Sequence, residues 1–191
     1  INNDVPIVKL ADIKKKYSPV EKVILTGYIT AKGDPIKAEW STDAYLGYSD
    51  GEEITLDSII STPLAYAKNP GVSTVQLSIR KGSLIGGLSY TFILSSFYTT
   101  NKQDSSVTSV TIIMNEAPNG GNLAVFPVTG EALTTSFEFQ TSGWSDDPND
   151  YPLEYLFSYY ISLPERQNII KNKDQLTYAY ANLGEGLSGT G

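Results

Sequence analysis

The sequence of 191 residues contains neither cysteine nor histidine. These absences exclude disulfide bonds, thiol nucleophiles, zinc sites with nitrogen or sulfur ligands, and any serine–histidine relay. No run approaches the roughly 20 consecutive apolar residues that a membrane-spanning helix needs. Any chemistry would therefore have to come from carboxylates, lysine, tyrosine or a bound hard cation.

Basic residues are also scarce, because 14 Lys and Arg stand against 21 Asp and Glu, for a formal net charge of −7. A surface of this sign repels phosphate backbones and anionic lipids, so we expect no nucleic-acid partner. Acceptor sites of the form Asn-x-Ser/Thr are missing as well. The sequence begins with Ile1 rather than methionine, and we expect it to be processed or excerpted from a longer chain.

Strand-forming residues dominate the composition, with thirteen tyrosines against one methionine. Apolar and polar residues alternate in "KVILTGYIT", "IKAEW", "STVQLSIRK", "SYTFILSSF" and "SVTSVTIIMN". Asp50-Gly51 is a strong hairpin signal. The best helical candidate, residues 10–17, is short and rich in lysine. This pattern predicts an all-β fold of antiparallel sandwiches.

A turn-forming cluster interrupts the strand pattern within residues 115–121. It predicts two domains, residues 1–114 and 115–191, as tandem immunoglobulin- or fibronectin III-like β-sandwiches. A junction of about seven residues spans little more than ~20 Å, so we expect end-to-end stacking with limited freedom. After Tyr160 the sequence turns polar until one weak strand, "QLTYAYANL". We therefore expect the second sandwich to be incomplete, because the chain is a fragment or because a neighbouring segment supplies two further strands.

The first domain carries a spacing that resembles the fibronectin type III signature, in which Leu84 precedes Tyr90 by six residues in "LIGGLSYTFILSSF". The resemblance implies a tyrosine corner, where the tyrosine hydroxyl returns to the loop before its own strand. Leu84 would then pack beneath that loop.

The second domain resembles the REJ (receptor for egg jelly) module of polycystin-family and related protist cell-surface proteins. The match runs for about 50 residues through "IIMNEAPNGGNLAVFPVTGEALTTSFEFQTSGWSDDPNDYPLEYLFSYY". The first domain is similar to a preceding repeat of the same array, whereas the first 20 residues and those beyond Tyr160 carry no recognisable resemblance. The family implies an extracellular, multi-module stalk and brings no catalytic residues with it.

Four acidic or amide residues crowd together in "SDDPND": Asp146, Asp147, Asn149 and Asp150. Clustered carboxylate and amide oxygens suit calcium, although no glycine permits the tight wrap of an EF-hand loop. The favoured interpretation is a turn in which Asp and Asn bond their own backbone and proline fixes φ. A glycosidase pair is disfavoured, because four neighbours on one exposed turn offer no cleft. No other cofactor is expected.

Six residues are predicted to have structural roles: Leu84, Tyr90, Trp40, Trp144, Pro152 and Tyr155. Trp40 lies at alternate positions with Ile36 and Ala38, so it is expected to point into the core. Trp144 is expected to cover the edge of the core near the acidic turn. Other tyrosines are candidates for an exposed contact patch: Tyr45, Tyr48, Tyr66, Tyr151 and Tyr160.

The predicted function is non-enzymatic. The sequence and its resemblance indicate an extracellular structural and adhesive module pair that acts as a semi-rigid spacer at the cell surface, with a ciliary membrane as one setting. Its expected partners are neighbouring modules and other cell-surface proteins or glycans. The alternative is an accessory carbohydrate-binding domain of a secreted enzyme, in which Trp144 or Trp40 would stack on sugar rings.

Overall fold

A computed structural model describes residues 5–186, and the chain divides into two compact units, Ile1–Glu116 and Ala117–Gly191. This division falls within residues 115–121, the segment that the sequence pattern singled out. Nearly all elements are strands, which confirms the predicted all-β fold. Within the described part of the chain, the helical elements are one α-helical turn, Leu56–Ile59, and one 3-10 turn, Pro148–Asp150. Neither is long or apolar enough to cross a membrane.

The first unit is a sandwich of two sheets. One sheet has the order β1-β3-β8, and the other has the order β2-β10-β9-β4-β7. All neighbours in these sheets are antiparallel except β2, which runs parallel to β10. A small hairpin, β5-β6, turns at Asp50-Gly51 with φ of 53° and 84°. The strands are β1 (Ile7–Leu10), β2 (Lys16–Tyr17), β3 (Val23–Ala31), β4 (Ile36–Thr42), β5 (Tyr48–Ser49), β6 (Glu52–Glu53), β7 (Ala65–Lys68), β8 (Gly71–Ile79), β9 (Ser89–Tyr98) and β10 (Asn101–Met114).

The core of the first unit follows the alternation seen in the sequence. Inward positions of β3, β8, β4 and β9 are buried, and they include Leu25, Leu77, Trp40 and Phe92. At Gly27 in β3, a Cβ atom would overlap the Cδ2 methyl group of Leu94 in β9, so a larger residue there would force the Leu94 side chain to move. The two sheets are thus packed in direct contact, as an intact sandwich requires.

The second unit has a three-stranded sheet, β11-β12-β15, and a two-stranded sheet, β13-β14, all antiparallel. Its strands are β11 (Asn122–Phe126), β12 (Ser136–Ser142), β13 (Tyr155–Tyr159), β14 (Asn168–Asp174) and β15 (Tyr178–Asn182). Its buried apolar core consists of Phe139, Phe157 and Ala179, with half-buried residues around them. This core is much smaller than that of the first unit.

The strand order of the second unit repeats part of the first. In both units, a three-stranded antiparallel sheet is made of the first strand, the next long strand and a strand that comes later in the chain: β1-β3-β8 in the first unit and β11-β12-β15 in the second. The pair β13-β14 lies between β12 and β15 in the chain, as the pair β4-β7 lies between β3 and β8. Within residues 117–186 there is no strand equivalent to β9 or β10. The sandwich that the described residues of this unit form is therefore open on one side.

Two segments contain strands that the sequence pattern did not indicate. Residues 10–17 form no helix, because their backbone groups bond to neighbouring strands: the Ala11 N–H donates to the Thr26 carbonyl at 2.9 Å, and the Lys15 carbonyl accepts from Ile113 at 2.8 Å. The polar stretch after Tyr160 also contains a strand, β14, which pairs with β13.

Candidate functional site

The Leu84–Tyr90 pair lies in the core of the first unit. Tyr90 is 1% exposed and Leu84 is 5% exposed. The Tyr90 hydroxyl accepts a hydrogen bond from the backbone N–H of Ile85 at 3.0 Å. The loop ahead of β9 is held further by the Gly87 N–H, which donates to the Met114 carbonyl at 2.8 Å. This is the geometry that a tyrosine corner describes.

Trp40 is fully enclosed in the same core, as its parity in the sequence predicts. Its indole Nε1 has no hydrogen-bond partner. Trp40 therefore contributes packing to the first unit, and it is inaccessible as a stacking platform for a ligand.

The acidic residues of the second unit form a turn built from their own backbone. The Asp147 N–H donates to the Asp146 Oδ1 at 2.8 Å, and the Asp150 N–H donates to the Asp147 carbonyl at 2.9 Å. The Asp146 N–H donates to the Tyr151 hydroxyl at 3.1 Å, ahead of a cis peptide bond to Pro152. No group of three or more carboxylates among residues 5–186 converges as metal ligands would. Asn149 lies in the 3-10 turn Pro148–Asp150, as the favoured interpretation of a turn expects.

Trp144 lies between this turn and β12, and it is 36% exposed. Its Nε1 donates to the Thr141 hydroxyl at 2.7 Å. Its ring lies against Gly121, where any Cβ would overlap the indole. The hydrogen bond and the glycine contact hold the ring in one orientation.

Trp144 also borders an apolar cleft of about 360 Å³ in the second unit. Its walls come from both sheets and include Leu123 of β11, Phe139 of β12, and Leu153, Tyr155 and Phe157 at β13. On the β13 side of the cleft, only Phe157 is fully buried, whereas Leu153, Tyr155 and Tyr159 are half-buried. They are partly exposed because, within residues 117–186, no third strand of that sheet covers them.

Charge in the second unit is strongly one-sided. Residues 117–191 contain nine acidic and three basic residues, so this unit carries a net charge of −6 out of the total of −7. Lys171 is held by Asp174 at 2.6 Å and lies over the Phe157 ring at 5.1 Å. The hydrogen bond from Lys171 holds the pKa of Asp174 below its ordinary range. At the rim of the cleft, Glu154 faces Lys173 at 3.6 Å.

The predicted tyrosine patch is divided between the two units. Tyr45 and Tyr48 are exposed and in edge-to-face contact at 5.9 Å between ring centroids. Tyr66 is half-buried, with its hydroxyl donating to the Gln76 carbonyl at 2.6 Å. Tyr151 and Tyr160 are both exposed and belong to the second unit. Desolvation raises the pKa of Tyr45.

Another exposed aromatic pair was not predicted. Tyr178 and Tyr180 point to the same side of β15, with ring centroids 6.0 Å apart. Tyr180 donates its hydroxyl to Glu138 at 3.1 Å, and this bond raises the Tyr180 pKa. The i, i+2 spacing in "TYAYAN" was the available signal, because such residues share one face of a strand.

Comparisons with solved structures give only distant similarity. An ASH/PapD-like domain of human CEP192 is 11% identical, with a TM-score of 0.37, and the alignment covers 58% of this chain and 84% of that one. The class 5 fimbriae chaperone CfaA is 11% identical, with a TM-score of 0.36 and coverage of 94% and 83%. The sporulation control protein Spo0M from Bacillus subtilis is 14% identical, with a TM-score of 0.34 and coverage of 83% and 76%. A search of curated proteins gave no match.

The family comparison is decisive. The model described as REJ domain matches residues 2–181, so the similarity extends well beyond the 50 residues that carried the resemblance. It includes residues 2–20 and residues 161–181, which carried no recognisable resemblance. A single match runs across both units, and the division into two REJ-type repeats stays a prediction. REJ domains are typically extracellular. The chain belongs to the REJ domain family.

Proposed function

We propose that the chain is a cell-surface structural module that acts both as a semi-rigid spacer and as a protein-interaction segment. Membership of the REJ family supports the extracellular placement. A polycystin-like or ciliary parent protein and an adhesive role belong to the same proposal. Its partners are neighbouring modules and other cell-surface proteins or glycans, not nucleic acid.

The spacer role is supported by how tightly the backbone is bonded on each side of the junction. The Asn115 N–H donates to the Tyr17 carbonyl at 2.7 Å within the first unit. Asn119 exchanges two backbone hydrogen bonds with Ser145, each of 2.9 Å, within the second. Residues 116–118 alone lie between these positions, and Pro118 has a fixed φ. A tether this short, about 14 Å at full extension, limits how freely two units can reorient.

Distances between spin labels test the spacer role. Because the native chain has no cysteine, Lys102→Cys and Glu165→Cys place one label on an exposed position of each unit. We expect one narrow distance distribution, and a marked broadening when Gly-Ser-Gly-Ser-Gly-Ser is inserted between Glu116 and Ala117. A parent distribution as broad as that of the insertion variant would rule out a semi-rigid spacer.

The proposal assigns no catalytic activity to the module. Among the described residues that line the cleft, Glu154 provides the one carboxylate, and it is paired with Lys173. Hydrolysis of a glycoside would need two carboxyl groups about 5 to 9 Å apart in different environments. A hydrolytic activity abolished by Glu154→Gln would contradict this assignment.

Carbohydrate binding is the second candidate, and the exposed Tyr178–Tyr180 pair is the observation that favours it. Aromatic faces that protrude from a strand can stack on sugar rings. A glycan array probed with the parent chain, Tyr180→Ala and Trp144→Ala tests this function. If the parent chain binds a glycan and either variant loses that binding, carbohydrate binding is favoured. If neither the parent chain nor the variants bind any glycan, the interaction partners would be proteins.

A further inference from the structure

We propose that Tyr48 of the first unit is a site of tyrosine O-sulfation. In this modification the phenol oxygen forms a bond to the sulfur of a phosphosulfate donor, and the bond from that sulfur to the phosphate oxygen of the donor breaks. The phenol proton passes to a base of the transferring enzyme, and the donor leaves as a nucleotide phosphate. The product adds a fixed negative charge to the surface. The inference rests on the extracellular placement in the proposed function, because sulfotransferases of this kind act on secretory proteins.

The first argument is that the Tyr48 phenol is available. Tyr48 is 64% exposed, and its hydroxyl has no hydrogen-bond partner among the described residues. Other tyrosines use their hydroxyl groups within the chain. Tyr66 donates to the Gln76 carbonyl at 2.6 Å, whereas Tyr180 donates to a carboxylate at 3.1 Å. The Tyr48 oxygen can therefore act as a nucleophile, activated by an enzyme base, without first breaking an intramolecular bond.

The second argument is the charge immediately around Tyr48. Residues 38–67 contain no Lys or Arg, and they contain six acidic residues: Glu39, Asp43, Asp50, Glu52, Glu53 and Asp57. Glu53 lies directly opposite Tyr48 in the β5-β6 pair. None of the six carboxylates forms an ion pair within the part of the chain that the structure describes.

The local field agrees with this count. The rings of Tyr45 and Tyr48 are in contact, and the pKa of Tyr45 is raised by desolvation and then by the Tyr48 and Glu53 charges. Arg80 approaches the same stretch of chain, but its guanidinium donates to the Ser58 and Ile60 carbonyls at 3.0 and 2.6 Å. These carbonyls follow the hairpin in the chain, so Arg80 is committed elsewhere.

The third argument is what this charge selects. A sulfotransferase binds a donor that carries both phosphate and sulfate groups, so its active site must be positively charged. Such a site attracts an acidic segment and repels a basic one. Tyr28 provides the contrast, because it is 45% exposed but is paired directly with Lys9 of β1. The acidic surroundings therefore favour Tyr48 as the acceptor over Tyr28.

The fourth argument is the ease with which this segment can enter an enzyme cleft. β5 and β6 have two residues each and form a sheet of their own. Opening the hairpin breaks few backbone hydrogen bonds, while buried Leu46 and half-buried Ile54 hold its two ends in the core. Tyr180 is 60% exposed, but it lies inside β15, which is paired with β12 along its whole length. The two tyrosines differ in local openness, not in exposure.

Transfer to the purified 191-residue chain tests the site directly. The reagents are a protein-tyrosine sulfotransferase and adenosine 3′-phosphate 5′-phosphosulfate, and fragmentation of the digested peptides locates the product. We expect an added SO₃ group on Tyr48, and no addition to the same peptide in Tyr48→Phe. The reaction supplies its own enzyme and donor, so it tests the site wherever the native chain resides. The spin-label distances test the spacer role separately.

Two charge variants separate local charge from total charge. Glu52→Gln with Glu53→Gln removes two carboxylates beside Tyr48 and should slow the transfer at least fivefold. Glu131→Gln with Glu165→Gln is the matched control, because it removes two exposed carboxylates from the second unit and should react as the parent does. Equal rates for the parent and the hairpin variant would overturn the proposal.

Secretion from cultured animal cells provides the second measurement. The chain has no Asn-x-Ser/Thr acceptor, so N-linked glycans do not complicate its mass. We expect the SO₃ group on Tyr48 of the secreted chain, and its loss when chlorate blocks synthesis of the donor, which distinguishes sulfation from phosphorylation. An unmodified Tyr48 in either measurement, a chlorate-insensitive mass increase, or transfer to Tyr45 or Tyr180 in place of Tyr48 would overturn the assignment.

Discussion

Removing one oxygen atom, by Tyr90→Phe, tests whether the loop before β9 depends on the tyrosine hydroxyl. That hydroxyl accepts a hydrogen bond from the Ile85 N–H at 3.0 Å, and Tyr90 is 1% exposed. A hydrogen bond of this kind contributes about 1 kcal/mol net to the free energy of unfolding, and a buried donor left without any acceptor costs about 1–3 kcal/mol. Because Ile85 is 56% exposed, water can reach part of the freed donor. We therefore expect a loss of about 1–2 kcal/mol in the free energy of unfolding of the first unit.

The chain provides its own reporter for this measurement, since Trp40 lies in the first unit and Trp144 in the second. In a Trp144→Phe background, tryptophan fluorescence during urea unfolding follows the first unit alone. Tyr48→Phe is the control, because Tyr48 is 64% exposed and its substitution should change stability by less than about 0.5 kcal/mol.

Amide exchange gives a second, local readout of the same bond. The Ile85 amide should exchange faster in Tyr90→Phe, while amides in the middle of β9 retain their protection. If Tyr90→Phe matched Tyr48→Phe in stability and left Ile85 exchange unchanged, the hydroxyl would have no structural role, and the corner would be held by the ring alone.

Two further predictions concern packing and pH. Gly27→Ala should destabilise the first unit by about 1–3 kcal/mol, because the new Cβ overlaps Leu94 in a closed core. Unchanged urea unfolding, followed by Trp40 fluorescence, would show that the Leu94 side chain moves aside without cost. The pKa of Asp174 is lowered by Lys171, so its contribution to stability is complete above the unfolded-state pKa and is lost as the pH falls through the lower folded-state value. Asp174→Asn should therefore make the second unit less sensitive to acid below about pH 4, and identical acid titrations by circular dichroism would disprove the Lys171 pairing.

The first unit could be predicted from the sequence to a large extent, because burial imposes the alternation on which such prediction relies. Each inward residue of β9, such as Phe92, meets the opposite sheet, and outward residues meet water. The hairpin turn at Asp50-Gly51 was equally accessible, because its backbone angles require residues that tolerate positive φ. Local sequence and tertiary burial agree in the long strands of this unit, whereas the short strand β2, Lys16–Tyr17, was not predicted.

The second unit was harder to predict for the same physical reason. β14, Asn168–Asp174, has no buried residue, so nothing imposes a two-residue period on its side chains. The strand exists because its backbone pairs with β13, and "NIIKNKD" shows no alternation from which this could be inferred. The cleft was also beyond prediction, since Leu123 and Leu153 are equally apolar whether or not a strand covers them.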